Sequence, residues 1–335
     1  MVDIFLRRCY HDDMALKEEI YNLLDAQRGT YFSGEELAKR FGVSRNAVWK
    51  AVKSLEKEGF VLSGVNNRGY ALLPENDLLT AGGIRKYLSF PCDIRVEKCI
   101  PSTNDALKAM AREGAPEWTV LLAEEQTAGK GRYRRRFYSP RGAGLYMSIL
   151  LRPSFPASET LFITTGAAVA VCEAVESVSK KRGEIKWVND VFTEGKKICG
   201  ILTEASFNVE SGGLDYAVVG IGINVLETAF PEELSSVATS VFAGESYPPE
   251  GRARLAASLL ERFRYYYEHI PERAFYAPYK NRLFILGRKV QVVSGDVQGE
   301  AEVLDLDENC FLKVRFSDGR ERLLSAGEIS IKLQG

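Results

Sequence analysis

The sequence predicts a multidomain α+β protein, and three shifts of pattern along its 335 residues carry that reading. Helix-spaced apolar residues fill 15–58 and give way to two short strand-like runs. From about 78 to 282, strands and helices alternate. From 287 onward, strand-like runs recur between turns. The expected domains are therefore 15–74, 78–282 and 287–335.

Leu16, Ile20, Leu23 and Leu24 place a helix over 15–26, after an N-terminal stretch (1–14) that fits no element. Ser33 stands three residues before Glu36, the spacing of a capping box. Gly42 suits the left-handed residue of a tight turn, and Ser44 caps a second helix running to about Glu58. Phe60-Val61-Leu62 and Gly69-Tyr70-Ala71-Leu72-Leu73 read as strands, joined by turn chemistry at 65–69. Three helices followed by a hairpin predict a winged helix-turn-helix. Ser44, Arg45, Asn46, Trp49, Lys50 and Lys53 face outward from the last helix, a composition suited to phosphates and base edges in a major groove. A small helical protein-interaction module is the plainer alternative.

Pro74-Glu75-Asn76-Asp77 reads as a linker, and 78–88 as one more helix. A strand at 94–97 leads to Ser102-Thr103-Asn104, a strong N-cap cluster. Capping alone explains those residues, yet a helix N-terminus also meets polar ligands well. The strand 119–124 runs into a Gly/Arg loop. The next strand, 144–151, precedes a long helix over about 158–179. Strands follow at 184–187, 198–205 and 216–224, then helices at 252–269 and 274–281. The last region offers strands at 289–293, 301–305, 311–316 and 321–324, as in a small all-β barrel.

Composition removes several functions. A net charge of −1 leaves any affinity for nucleic acid to local patches. Six cysteines without a C-x-x-C pair argue against zinc sites and disulfides and suit a reducing cytosol. Two isolated histidines, His11 and His269, argue against histidine triads. The longest apolar stretch, 161–172, is too short to span a bilayer, so a cytoplasmic protein is expected.

The loop 124–137 carries the chemistry. Gly129 and Gly131 let backbone N–H groups approach a ligand, and Lys130, Arg132, Arg134, Arg135 and Arg136 surround them with no acid before Arg141. Such a loop holds phosphates or carboxylates by charge-assisted hydrogen bonds. A solvated basic loop is the plainer reading. Two further clusters sit at strand ends: Ser102-Thr103-Asn104, and Lys186-Trp187-Val188-Asn189-Asp190 with Lys197-Ile198-Cys199-Gly200-Ile201-Leu202.

In this order, from about Ala15 to the C-terminus, these motifs resemble the bifunctional biotin–protein ligases that double as biotin operon repressors. The resemblance implies a central mixed sheet like that of class II synthetases and an SH3-like C-terminal barrel. It implies adenylation of biotin by ATP with Mg²⁺, then transfer to a lysine of a biotin carboxyl carrier protein. It also implies operator DNA; because winged-helix regulators usually read paired half-sites, a homodimer is expected in the liganded state, and the short apolar stretches leave no membrane partner. By resemblance, Ser102, Thr103, Asn104, Gln126, Lys130, Gly131, Arg132 and Lys197 contact biotin. Lys130, Arg132, Arg135, Phe137 and Asn189 attend the nucleotide. Lys197, with Arg132, is the expected catalytic pair, and no protein side chain is expected to ligate a metal directly. Trp187 reads as a core anchor and Lys196 as a surface lysine. Three positions depart from the family: Lys130 replaces Arg, Arg134 a third glycine, and Phe137 a tryptophan. A biotin-sensing DNA-binding regulator with weak or lost ligase activity is the alternative. A lipoate–protein ligase is a third, opposed by the winged helix and the Gly/Arg loop.

Overall fold

Helix caps set the first part of the chain. In the computed structural model, which describes residues 16–65, 68–73, 76–207, 213–226, 229–294 and 297–331, helices α1 (16–26), α2 (Gly34–Phe41) and α3 (Arg45–Glu58) follow one another. Ser33 Oγ accepts the Glu36 N–H at 3.0 Å, and Ser44 Oγ accepts that of Ala47 at 3.1 Å. Gly42, at φ 67°, turns the chain between α2 and α3. Ile20 and Leu24 of α1, Leu37 of α2, and Val48, Val52 and Leu55 of α3 close one core.

Strands β1 (Leu62–Val65) and β2 (Gly69–Leu72) then pair antiparallel, Leu62 opposite Leu72. The strand expected at 60–62 thus starts where it was expected to end. Gly59, at φ 100°, closes α3 with Gly59 N–H on Glu56 O at 2.9 Å and Phe60 N–H on Leu55 O at 3.1 Å. This paired closure draws Phe60 into the core and out of the ladder. Of the expected turn and linker, Asn66, Asn67, Pro74 and Glu75 lie outside the described residues, as does the stretch 1–14 with His11.

The chain divides into two compact units, Met1–Lys86 with Pro248–Ala253, and Tyr87–Tyr247 with Arg254–Gly335. Asn76 and Asp77 are part of the first unit's fabric, not a free linker. Asn76 is 1% exposed and its Oδ1 accepts the Val61 N–H at 3.0 Å, while Asp77 accepts Arg252 Nε at 2.6 Å. Asp25 and Glu250 are both bridged by Arg28 and by Lys86. The helix expected over 78–88 shortens to α4 (Ala81–Arg85), since Thr80 is extended and caps it, and Gly82 and Gly83 weaken its first turn.

In the second unit, β3 (Asp93–Glu97), α5 (Thr103–Arg112), β4 (Thr119–Ala123), β5 (Gly144–Leu151), α6 (Thr160–Val178), β6 (Glu184–Lys186), β7 (Asp190–Thr193), β8 (Lys196–Phe207) and β9 (Leu214–Asn224) follow in order. The seven strands form one mixed sheet, β3-β4-β5-β9-β8-β7-β6, in which only β3 and β4 are parallel. All residues of β4 and β5 are buried. Among the described residues, the one helix long and apolar enough to cross a bilayer, Ala157–Val178, is mostly buried inside the protein. It is a core helix.

Helices α7 (Glu232–Ser235), α8 (Gly251–Glu268) and α9 (Tyr276–Asn281) lead to a five-stranded antiparallel sheet. Its strands are β10 (Lys289–Ser294), β11 (Val297–Leu306), β12 (Leu312–Phe316), β13 (Glu321–Leu324) and β14 (Glu328–Ile331), ordered β13-β12-β11-β10-β14. Val290, Val292, Val303, Leu312 and Val314 fill its interior. Strands β7 and β14 were not expected: four residues each, they carry too little periodicity to stand out.

Candidate active site

At the start of α5, extended Ser102 caps the helix, its Oγ accepting the Asp105 N–H at 3.4 Å. The cap turns Thr103 and Asn104 inward, where each is 4% exposed. Gln126 Oε1 accepts the Thr103 N–H at 2.9 Å, and Gln126 Nε2 donates to Ser139 Oγ at 3.0 Å. Ser148 Oγ, on β5, lies 2.7 Å from Thr103 Oγ1 and 2.6 Å from Asn104 Oδ1. Asn104 Nδ2 donates to Glu204 Oε2 at 2.8 Å and to Leu202 O at 3.2 Å. Asn104 lies so flat on β9 that a Cβ at Gly220 would stand 2.2 Å from its Oδ1. The result is a satisfied polar nest on the sheet. Ser139, Ser148 and Glu204 complete it without any mark in the sequence, apart from a lone acid inside a largely apolar strand.

The Gly/Arg loop folds back on itself. Phe137 N–H bonds Gly129 O at 2.9 Å, and Gly131 N–H bonds Arg135 O at 2.8 Å. Gly129 is obligatory, because a Cβ there would stand 2.6 Å from Phe137 O and 2.8 Å from Ser139 Oγ. At the tip, Tyr133 and Arg134 both hold left-handed backbone, φ 53° and 60°. That conformation costs an L-residue about 1–2 kcal/mol, a strain that a glycine at the position of Arg134 would relieve. Arg132 Nη1 donates to Asn189 Oδ1 at 3.1 Å, while Lys130 Nζ pairs with Asp105 at 2.6 Å. Arg135 is exposed. The Phe137 ring covers the sheet, within 2.5 Å of a Cβ built on Gly222 and 3.4 Å of one on Gly200.

Lys197 enters from the next hairpin. Glu194 and Gly195, φ 50° and 76°, make the two-residue left-handed turn that joins β7 to β8. A bulge between Val191 and Phe192 shifts the register behind it. Lys197 Nζ then reaches Asp190 Oδ1 at 2.6 Å, with the two side chains 33% and 18% exposed. Asn189 is pinned by Nδ2 on Ile201 O at 2.7 Å. Lys196 is exposed and Trp187 is 3% exposed, donating Nε1–H to Cys310 O at 2.9 Å. A Cβ at Gly200 would also stand 3.4 Å from Lys197 Nζ.

Gly200 pairs with Gly222 and Leu202 with Gly220 across β8 and β9. Over this glycine floor the structure gathers Lys197, Phe137 and Asn104, with Asp190 bound to Lys197, and Arg132 bound to Asn189, which is itself bonded to Ile201 O of β8. Burial alone would hinder ionisation of Asp105, but hydrogen bonds from Lys130 and Lys108 outweigh it and hold the carboxyl below the usual carboxylate range. Burial pushes the Cys199 thiol well up, so it is no nucleophile. Among the described residues, no three Cys, His, Asp or Glu cluster to hold a metal ion. In the first unit, Ser44, Arg45, Asn46, Lys50 and Lys53 are exposed on or beside α3, and Trp49 is 50% exposed. Lys53 pairs with Glu56 at 2.6 Å.

A capped helix, a cationic loop and a lysine hairpin over one glycine floor, in a chain that also carries a helix-turn-helix, define an acid-activating ligase joined to a DNA-reading unit. Comparison with known proteins agrees. The biotin/lipoate A/B protein ligase family matches residues 96–224, and a helix-turn-helix domain matches 17–71. The chain is 32% identical over 321 residues to the bifunctional ligase/repressor BirA of Bacillus spizizenii, covering 93% of this chain and 97% of the relative. Its identity to the Escherichia coli protein of the same name is 28% over 308 residues, 91% of this chain and 94% of that one. The biotin protein ligase of Aquifex aeolicus, solved with biotin and ATP, superposes with a TM-score of 0.61 at 28% identity, over 72% of this chain and 98% of that one. The chain belongs to the biotin–protein ligase family, among its bifunctional ligase/repressors.

Proposed function

We propose that this protein activates biotin with ATP, transfers it to a lysine of a biotin carboxyl carrier protein, and represses transcription through its helix-turn-helix. A carboxylate is a poor acyl donor, because oxide is a poor leaving group. A biotin carboxylate oxygen therefore attacks the α-phosphorus of ATP, and the bond to pyrophosphate breaks. The carrier's lysine amine then attacks the biotinyl carbonyl, and AMP leaves with the C–O electron pair.

Both steps gather negative charge on phosphate or carbonyl oxygens. Lys197 and Arg132 supply fixed cationic donors there, of the kind worth about a hundred- to a thousandfold each when aimed at developing charge. Asp190 and Asn189 hold those two cations in place through the bonds described above. Ser102, Thr103, Asn104 and Gln126, with Lys130 and Gly131, form the biotin side. Arg135, Phe137 and Asn189 form the nucleotide side.

Mg²⁺ fits as an ion carried in by ATP: the nearby oxygens of Asp190 and Asn189 already receive Lys197 and Arg132. It would neutralise phosphate charge. The DNA reader is α3, through Ser44, Arg45, Asn46, Trp49, Lys50 and Lys53. The liganded protein acts as a homodimer on paired half-sites. The five described cysteines are all free thiols, which suits work in the cytoplasm.

The convergence of Lys197, Phe137 and Asn104 over one glycine floor, with Arg132 held on Asn189, which is bonded to Ile201 O of the same strand, carries this reading. Incubation with ATP, labelled biotin and an apo carrier domain tests it. Label is expected on the carrier. Biotin binding without any transfer would leave a biotin-sensing regulator in its place.

A further inference from the structure

Lys130 differs from the other loop cations in having a partner on α5. Its Nζ lies 2.6 Å from Asp105 Oδ2, while Asp105 Oδ1 takes Lys108 Nζ at 3.0 Å. Lys108 pairs in turn with Glu204 Oε1 at 2.6 Å, and Glu204 Oε2 holds Asn104 at 2.8 Å. Charges therefore alternate from the loop, along the first two turns of α5, to β8. The nest around Thr103 and Gln126 sits at the inner end of that chain. Lysine is a point charge with freely turning donors, and it lacks the planar fork by which an arginine fixes its own direction. Asp105 supplies from outside the direction that the side chain lacks.

We propose that Asp105 is a positioning residue for biotin capture, its carboxylate tethering Lys130 so that the Gly129–Gly131 turn stays seated against α5. This rests on the ligase reading for its substrate, though not for its geometry. The tether acts before chemistry, so it governs how readily biotin is held and not how fast it reacts. Both side chains are near half exposed, 47% for Lys130 and 42% for Asp105. The effect is accordingly modest, up to about fivefold, and sensitive to salt.

The test uses the full-length chain with Asp105→Asn, Asp105→Glu and, as a control, Asp93→Asn on β3. Trypsin cleaves after the loop's own Lys and Arg residues, so cleavage of 130–136 without substrate reads the tether directly. Asp105→Asn is expected to be cut up to about fivefold faster than the parent in low salt. That difference should vanish in high salt, and Asp105→Glu should restore part of the protection. In ligation assays, KM for biotin should rise by a similar factor with kcat unchanged, and the control should match the parent in both assays. Unchanged cleavage with unchanged KM overturns the proposal. So does a fall in kcat accompanied by a lower melting midpoint, which marks a merely structural acid. A parent chain that does not ligate would defeat the ligase reading, while the cleavage arm would still judge the tether.

Discussion

Lys197→Ala separates catalysis from architecture. The lysine donates to Asp190 at 2.6 Å and borders the space above Gly200. Deleting one charge-assisted donor at a centre of developing charge costs about a hundred- to a thousandfold in kcat, or about 3–4 kcal/mol. The same change strands Asp190, whose side chain is 18% exposed. That is neither a dry interior nor open water, and the stability loss, discounted for solvent, is about 1 kcal/mol. The two costs part in the double variant Lys197→Ala/Asp190→Asn, which removes the stranded charge. Urea unfolding should show the double variant regaining the stability lost by the single one. Single-turnover formation of biotinyl-AMP should stay depressed in both. Wild-type adenylation in Lys197→Ala would refute the assignment. Recovery of the rate along with the stability in the double variant would show that Lys197 only supports the fold.

Other changes probe the remaining parts. Arg45→Ala with Lys50→Ala should abolish operator binding in a mobility-shift assay and spare ligation; each lost phosphate contact lowers the salt slope by about one. Simultaneous loss of both activities would contradict separate machinery. Gly220→Ala puts a methyl 2.2 Å from Asn104 Oδ1, so calorimetric biotin affinity should fall by at least about tenfold in a protein that stays folded. An unchanged affinity would remove Asn104 from the biotin side. Arg134→Gly relieves left-handed backbone at φ 60° and should stabilise the protein by up to about 1 kcal/mol after the entropic cost of glycine. A destabilised variant would mean that the Arg134 side chain contributes more than its backbone costs.

Much of this fold was legible because local chemistry and the tertiary answer coincide. Ser33, Gly42 and Ser44 satisfy backbone groups within a few residues, so their roles show without a partner. Apolar strands such as β5 and β9 announce burial by composition. Phe60 escaped because the preceding turn, not its β propensity, settled its place. The site divided in the same way. Lys197, Gln126 and the Ser-Thr-Asn cluster stand in recognisable strings. Ser139, Ser148, Glu204 and Asp105 do not, since each is single and ordinary until strand register sets it beside a residue far along the chain. The left-handed tip was hidden by its own residue types, for Tyr133 and Arg134 give no hint of positive φ.

Trp187 has a wider consequence. Its indole holds Cys310 O in the turn between β11 and β12, and Tyr279 of α9 grips the neighbouring Val188 O at 2.9 Å. Lys280 and Tyr276 reach the same C-terminal sheet through Asp305 and Leu306. The Asn189–Asp190 pair therefore follows directly on two moorings, one to the turn between β11 and β12 and one to α9. The strand that carries Asp190 is thus anchored by a turn more than a hundred residues further along, so a disturbance of the C-terminal sheet at Cys310 reaches the Lys197–Asp190 pair through the backbone at Trp187.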